Sequence, residues 1–187
     1  MYIGHVGAAL AAKRVRKSIG LLVLLVATYT PDWVDTGLCV VRRYNDDQLY
    51  SHSIPAVLLF ALIAFALYAL VSRDAKGALV VGAVILSHMF LDWITGYKPT
   101  WAGGPMIGLR LYDHPMADFV IEALVIALGA ALYARTLPAR ARGETGRQPG
   151  TAGTRRWSDA TIMFAALLGL QLAVDFGHLV MRNIAKC

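Results

Sequence analysis

The chain of 187 residues contains little cysteine and little charge. Its two cysteines, Cys39 and Cys187, are too few and too far apart for a disulfide framework or a zinc ribbon, and we expect two free thiols rather than a bridge. Only 16% of the residues are charged and 57% are hydrophobic, and the mean hydropathy is +0.54. A soluble domain of this length needs more polar surface, so the composition indicates a membrane protein.

The sequence also shows no serine nucleophile elbow, no phosphate-binding glycine loop and no thiol nucleophile motif, so it gives no indication of covalent catalysis by serine or cysteine. A formal net charge of +6 could suggest a nucleic-acid partner. The basic residues lie between apolar runs, however, which is typical of membrane topology. We therefore expect membrane lipids as partners and no nucleic acid, and the oligomeric state stays open.

Five apolar runs predict an all-α integral membrane bundle of about five transmembrane helices. Three runs have the length of about 20 residues that a span needs, the first is short, and the last is interrupted by polar residues. The runs are residues 19–29, 54–72, 77–95, 116–134 and 158–181. A short apolar helix over residues 2–12, a candidate re-entrant segment, precedes them. We expect residues 1–187 to form a single membrane-embedded helical domain.

Two features of the sequence predict whether the first run is retained and on which side of the membrane each loop lies. The basic residues at 13–17 resemble the start of a signal peptide, but Ala27-Thr28-Tyr29 is a poor cleavage site, so we expect a retained first span. Positive charge is concentrated at 13–17, at 73–76 and in the arginine-rich segment 136–157, which we expect to be a flexible cytoplasmic loop. The two other loops then face the periplasm of a bacterial inner membrane.

In this orientation the histidines and carboxylates of the spans reach the periplasmic face. His88 and Asp92 are four residues apart and share one face of a helix, and so do Asp118 and Glu122. Ionisable residues next to lipid are costly and usually mark a functional site. Imidazole and carboxylate ligands together suit Zn²⁺, Mn²⁺ or Fe²⁺. The pattern therefore predicts a metal site at the outer face of the bundle.

Four motifs occur in this order: Gly4-His5, Pro31-Asp32-Trp33-Val34-Asp35, Ser51-His52-Ser53, and the stretch 86–95, which reads Leu-Ser-His-Met-Phe-Leu-Asp-Trp-Ile-Thr. Together they resemble the YdjM-like family of membrane-bound, metal-dependent hydrolases. The family is in turn similar to zinc-dependent phospholipase C, a helical protein with three metal ions. The resemblance implies Zn²⁺, as two or three ions, with Mn²⁺ or Fe²⁺ as alternatives. The implied metal ligands are His5, Asp32, His52, His88, Asp92, His114 and Asp118.

The sequence departs from the family pattern at three places. Before the Ser51-His52-Ser53 motif, Asp47-Gln48-Leu49-Tyr50 stand where the family often has His-Arg-Gly, and Ser51 replaces Thr. Asp35 follows Asp32 by three positions where the family has two, so its part in the site stays open. Asp118 stands where the later His-x-x-x-Glu motif has Glu. Near the end of the last run, Asp175 and His178 are candidate supporting residues.

The resemblance implies a membrane-bound hydrolase that cleaves a phosphoester through a metal-activated hydroxide, with a lipid or lipid-linked molecule as the candidate substrate. Asp118 and Glu122 are the candidate catalytic residues, as base or as ligand. Two alternatives stay open. The same residues could line the pathway of an ion or metal transporter, or they could form a structural His/Asp network in a non-catalytic membrane assembly subunit.

Overall fold

The computed structural model describes residues 3–42, 50–101, 103–137 and 161–173. These residues form seven α-helices and one very short hairpin, so the predicted all-α class is confirmed. The helices are α1 (Gly4–Val15), α2 (Leu21–Thr28), α3 (Thr30–Arg42), α4 (Ile54–Ser72), α5 (Ala75–Thr95), α6 (Pro115–Ala134) and α7 (Thr161–Ala173). The hairpin joins β1 (Lys98–Pro99) to β2 (Met106–Ile107), and 3₁₀ turns lie at Tyr50–His52 and Leu111–Asp113.

Three of the described helices, α4, α5 and α6, are long and apolar enough to cross a membrane. They have 19, 21 and 20 residues, which at about 1.5 Å per residue matches a hydrocarbon core of about 30 Å. Their positions agree with the three full-length runs in the sequence. Large apolar side chains of α4 such as Leu58, Leu62 and Leu70 are exposed in the isolated chain, as lipid-facing residues would be.

The first predicted span is shorter than a full-length helix, and the last is described only in part. The run 19–29 forms the eight-residue helix α2, which rises about 12 Å, less than half of the hydrocarbon core. α2 stops because Pro31 has no N–H to donate to the carbonyl of Ala27, and the chain restarts as α3. The run 158–181 is described only over α7. Asp175, His178, Cys187 and most of the loop 136–157 lie outside the described residues.

The predicted short N-terminal helix is present as α1, and it folds back beside the spans. α1 packs along α6, and α2 packs against α5. Gly7 and Gly129 let the backbones of α1 and α6 touch, since a Cβ atom on Gly129 would lie 2.2 Å from the carbonyl oxygen of Gly7. Small residues at such crossings are typical of helix packing in membranes. The close approach carries His5 into the interior of the bundle.

An ion pair fixes the other end of α1. Nη2 of Arg16 lies 2.9 Å from Oδ2 of Asp74, in the turn between α4 and α5. Asp74 also caps α5 by accepting the N–H of Gly77 at 3.0 Å. The bond from Gly77 and the neighbouring Arg16 lower the pKa of the Asp74 carboxyl. The basic segment 13–17 and the turn 73–76 therefore lie together, at the end of α5 opposite Asp92.

Candidate metal centre

Five of the predicted ligands meet in one group of side chains, which we call the metal cluster: His5, Asp32, His52, His88 and Asp92. They come from α1, α3, the 3₁₀ turn before α4, and α5. All except Asp32 are almost completely buried. Two overlapping sets of ligand atoms, His5–His88–Asp92 and Asp32–His52–His88, each lie within 4.8 Å of one another. The arrangement is one that can hold a metal ion.

His88 is fixed by a backbone group. Its Nδ1 lies 2.7 Å from the carbonyl oxygen of Thr28, and a carbonyl can only accept, so Nδ1 carries the proton. Thr28 is the last residue of α2, where carbonyl groups lack a partner in the helix. Nε2 is then the free nitrogen, 3.2 Å from Nε2 of His52 and 3.5 Å from Oδ2 of Asp92. Metal-binding histidines are commonly oriented by such a bond at the other nitrogen.

His5 supplies the strongest sign that the cluster suits a cation. Its ring is fully buried and stacks on the ring of His88, with centroids 3.8 Å apart. Nε2 of His5 lies 3.2 Å from Oδ1 of Asp92, yet neither ring nitrogen has a well-formed hydrogen bond among the described residues. Leaving a buried polar group without such a bond is costly. A metal ion bound to Nε2 and Asp92 would remove that cost at Nε2.

His52 faces carboxylates on both sides of its ring. Nε2 lies 3.2 Å from Oδ1 of Asp32 and 3.2 Å from Oδ2 of Asp92. Nδ1 lies 2.7 Å from Oδ2 of Asp35 and 3.0 Å from Oγ of Ser51. Asp32 and Asp35 can both reach the ring because residues three apart share a face of α3. The sequence left the part of Asp35 in the site open. In the structure Asp35 contacts Nδ1 of His52, the ring nitrogen opposite the one that faces Asp32 and Asp92.

The carboxylates also control the charge of His52. Burial alone would lower the pKa of His52, but hydrogen bonds to Asp32, Asp35 and Asp92 raise it to about 10. Burial would raise the pKa of Asp32, but the bond to His52 and the nearby His88 and His5 lower it. A proton on His52 therefore balances the carboxylates, and a metal ion would compete with that proton for the same place.

Three predicted site residues on and before α6 belong to neither ligand set. His114 is exposed, and its backbone carbonyl accepts the N–H of Asp118 at 3.1 Å, at the start of α6. Asp118 is buried. Glu122, also buried, accepts the backbone N–H groups of Ile3 and Gly4 through Oε2, at 3.2 and 3.0 Å. A carboxylate is favourable at the N-terminus of a helix, so Glu122 anchors the start of α1 directly before His5.

Lys98 is a site residue that the sequence did not reveal. Its Nζ lies 3.3 Å from Oδ2 of Asp92. In the sequence Lys98 is one charge in a loop, and the only available indication was its position six residues after Asp92, just past the end of α5. The contact of His88 with the carbonyl oxygen of Thr28 could not be predicted either, because every residue has a backbone carbonyl and no residue type marks this one.

The chain matches the model of the family described as YdjM inner membrane protein over residues 1–178. No curated protein and no solved structure gives a significant match, and the similarity to zinc-dependent phospholipase C stays a prediction. The matched region includes all five residues of the metal cluster, and the three long apolar helices agree with a membrane location. The chain belongs to the YdjM inner membrane protein family.

Proposed function

We propose that the protein is a membrane-bound, metal-dependent hydrolase that cleaves a phosphoester. The observation that carries the proposal is the buried meeting of three imidazoles and two carboxylates, in which the nitrogens of His5 lack well-formed hydrogen bonds among the described residues. When bound there, a divalent ion would supply Lewis acidity and a hydroxide at neutral pH. Zn²⁺ is the preferred ion for this donor set, with Mn²⁺ and Fe²⁺ as alternatives.

The geometry limits how ions could share the ligands. The two ligand sets have His88 in common, and its Nδ1 is committed to Thr28, so its Nε2 can bind one ion only. A second ion would share a ligand with the first through a carboxylate. Asp92 would suit this role, because Oδ1 faces His5 and Oδ2 faces His52 and His88. His114 and Asp118 belong to neither set, and Asp118 stays the candidate general base on α6.

The position along α5 supports a substrate from the lipid headgroup layer. Asp92 lies three residues before the end of α5, while Arg16 and Asp74 lie at the other end. Because basic segments stay in the cytoplasm, the metal cluster would face the periplasm. A lipid or lipid-linked phosphoester would reach it there. Fusions of periplasmic and cytoplasmic reporters to the hairpin and to the turn 73–76 would test this orientation, and reporter activity of the opposite kind would overturn it.

Metal analysis of the purified protein tests the core of the proposal. We expect wild type to retain stoichiometric transition metal, and Asp92→Ala and His52→Ala to lose it while still unfolding cooperatively. Asp113→Ala is the matched control, since Asp113 is exposed and belongs to neither ligand set. A wild-type protein that holds no transition metal after gentle purification would eliminate the hydrolase proposal.

Turnover separates hydrolysis from the other functions that a metal site allows. We expect slow, metal-dependent cleavage of p-nitrophenyl phosphate or of its diester by wild type, abolished by a chelator and by His52→Ala. A transporter would instead move the ion across vesicles without cleavage. A structural subunit, whose His/Asp network needs no ion, would show neither behaviour.

A further inference from the structure

The hairpin after α5 brings a lysine to the metal cluster. Nζ of Lys98 lies 3.3 Å from Oδ2 of Asp92, and only 14% of the Lys98 side chain is exposed. Lysines are seldom so covered unless they are paired. We infer that Lys98 is the substrate-binding cation of the site and contacts the anionic phosphoryl group of the substrate. The inference rests on the proposed function and deepens it by naming the substrate charge and the residue that recognises it.

Backbone and side-chain hydrogen bonds hold the hairpin that carries Lys98 in place. Lys98 pairs with Ile107 across the two strands. The backbone N–H and the hydroxyl of Thr100 both donate to the carbonyl oxygen of Pro105, at 3.0 and 2.8 Å. The carbonyl oxygen of Thr100 accepts the N–H of Ile54, the first residue of α4, at 2.8 Å. The strand that carries Lys98 is thus tied to a membrane-spanning helix.

The far end of the hairpin is tied to α5. The N–H of Leu109 donates to the carbonyl oxygen of Trp93 at 2.9 Å, and that of Arg110 to Gly96 at 3.1 Å. Gly108 permits this approach, because its φ is +137° and a Cβ atom there would lie 2.1 Å from the carbonyl oxygen of Gly96. The backbone therefore holds Lys98 close to Asp92 from two directions, and its position does not depend on a flexible surface loop.

The charges of Lys98 and Asp92 indicate which kind of ligand Lys98 would bind. Asp92 is the one carboxylate of the metal cluster that contacts Lys98 among the described residues, and it is also the ligand placed to bridge ions. A divalent ion on Asp92 would draw charge from the carboxylate and would repel the nearby ammonium. An anion between the two cations relieves that repulsion and accepts charge-assisted hydrogen bonds. A phosphomonoester or phosphodiester fits this requirement, whereas a neutral carboxylic ester or a peptide does not.

Inorganic phosphate is the probe for this assignment, titrated calorimetrically into the full-length, zinc-loaded protein in detergent. The variants are Lys98→Met, which keeps an apolar stem and removes the charge, and Lys98→Arg, which restores the charge. Lys76→Met is the matched control, since Lys76 is exposed at the opposite end of α5. We expect Lys98→Met to weaken phosphate binding about tenfold or more, as loss of a hydrogen bond to a charged group does. Lys98→Arg should recover most of the affinity and Lys76→Met should match wild type.

Zinc content, measured on the same samples, distinguishes failure of the Lys98 assignment from failure of the proposed function. We expect equal zinc in all four proteins. Lys98→Met with full zinc and wild-type phosphate affinity would overturn the inference and leave the proposed function standing, and so would zinc-loaded wild type that binds no phosphate. Loss of zinc from Lys98→Met would show that Lys98 only supports Asp92, which also overturns it. Wild type without zinc would overturn the proposed function and the inference together.

Discussion

Oδ2 of Asp35 lies 2.7 Å from Nδ1 of His52 and holds the ring so that Nε2 faces Asp32 and Asp92. Asp35 is thus a positioning residue for a metal ligand. We expect Asp35→Asn to lower zinc affinity about 10–100-fold, as loss of an orienting partner does, without abolishing binding at saturating zinc. Competition with a chromogenic chelator measures this, with Asp113→Asn as control. Unchanged affinity would mean that Ser51 alone orients the ring.

Zinc binding should become tighter as the pH rises. The pKa of His52 is about 10, so at neutral pH a proton occupies the ring, and a zinc ion that binds His52 would have to displace it. Each displaced proton makes the apparent affinity rise about tenfold per pH unit below that pKa. Calorimetry in buffers of different ionisation enthalpy should show about one proton released by His52 per ion. Binding that does not depend on pH from 6.5 to 9 would contradict the ion-pair arrangement around His52.

The chelator-treated protein should lose stability in alkali. The pKa of His52 is raised above its ordinary value of 6.5 to about 10 by its carboxylate partners. Its ion pairs therefore contribute fully below about pH 6.5, and the contribution disappears as the pH rises through 10. We expect the Tm in detergent to fall over this window, and His52→Gln to flatten the slope. A wild-type Tm that stays constant would argue against a charged His52.

The contact between Gly7 and Gly129 should tolerate no side chain. A Cβ atom on Gly129 would lie 2.2 Å from the carbonyl oxygen of Gly7, so Gly129→Ala must push α1 away from α6. We expect a loss of about 1–3 kcal/mol in the free energy of unfolding and weaker zinc binding, because His5 moves with α1. Gly169→Ala is the control, since a Cβ atom there meets nothing within 4 Å. Equal melting temperatures for the two variants would refute this packing.

Glu122→Gln distinguishes an anchoring carboxylate from a catalytic one. The charge lies at the start of α1, where it accepts two backbone N–H groups, and its loss should cost about 1 kcal/mol of stability. We expect a lower Tm with kcat for p-nitrophenyl phosphate little changed. A fall in kcat of about 100-fold at unchanged Tm would instead make Glu122 a proton-transfer group, as the sequence predicts.

The parts of the fold that hydropathy alone determines were predictable. α4, α5 and α6 stand out because a span of about 20 apolar residues has few other uses. The spacing of His88 and Asp92 was equally informative, since helical geometry puts residues four apart on one face. The ordered motifs then pointed to His5, Asp32 and His52, and the structure brings all five side chains together.

The remaining features depend on tertiary contacts that a sequence pattern does not contain. The run containing α2 has the hydropathy of a span, but Pro31 ends the helix after eight residues. The return of α1 depends on the fit of Gly7 against Gly129. Asp35 differs from the family spacing, yet it reaches His52 because α3 turns its side chain toward the same ring. The spacing of residues along the sequence does not predict the end of α2, the return of α1 or the contact of Asp35 with His52.

The five cluster residues come from four segments that are far apart along the chain. A bound ion would therefore cross-link α1, α3 and α5. Because an ion that binds only the folded state adds stability in proportion to the logarithm of its free concentration, the rigidity of the bundle would follow the supply of that metal ion. The same polypeptide would be a firm scaffold where zinc is plentiful and a looser, more protease-sensitive one where zinc is scarce.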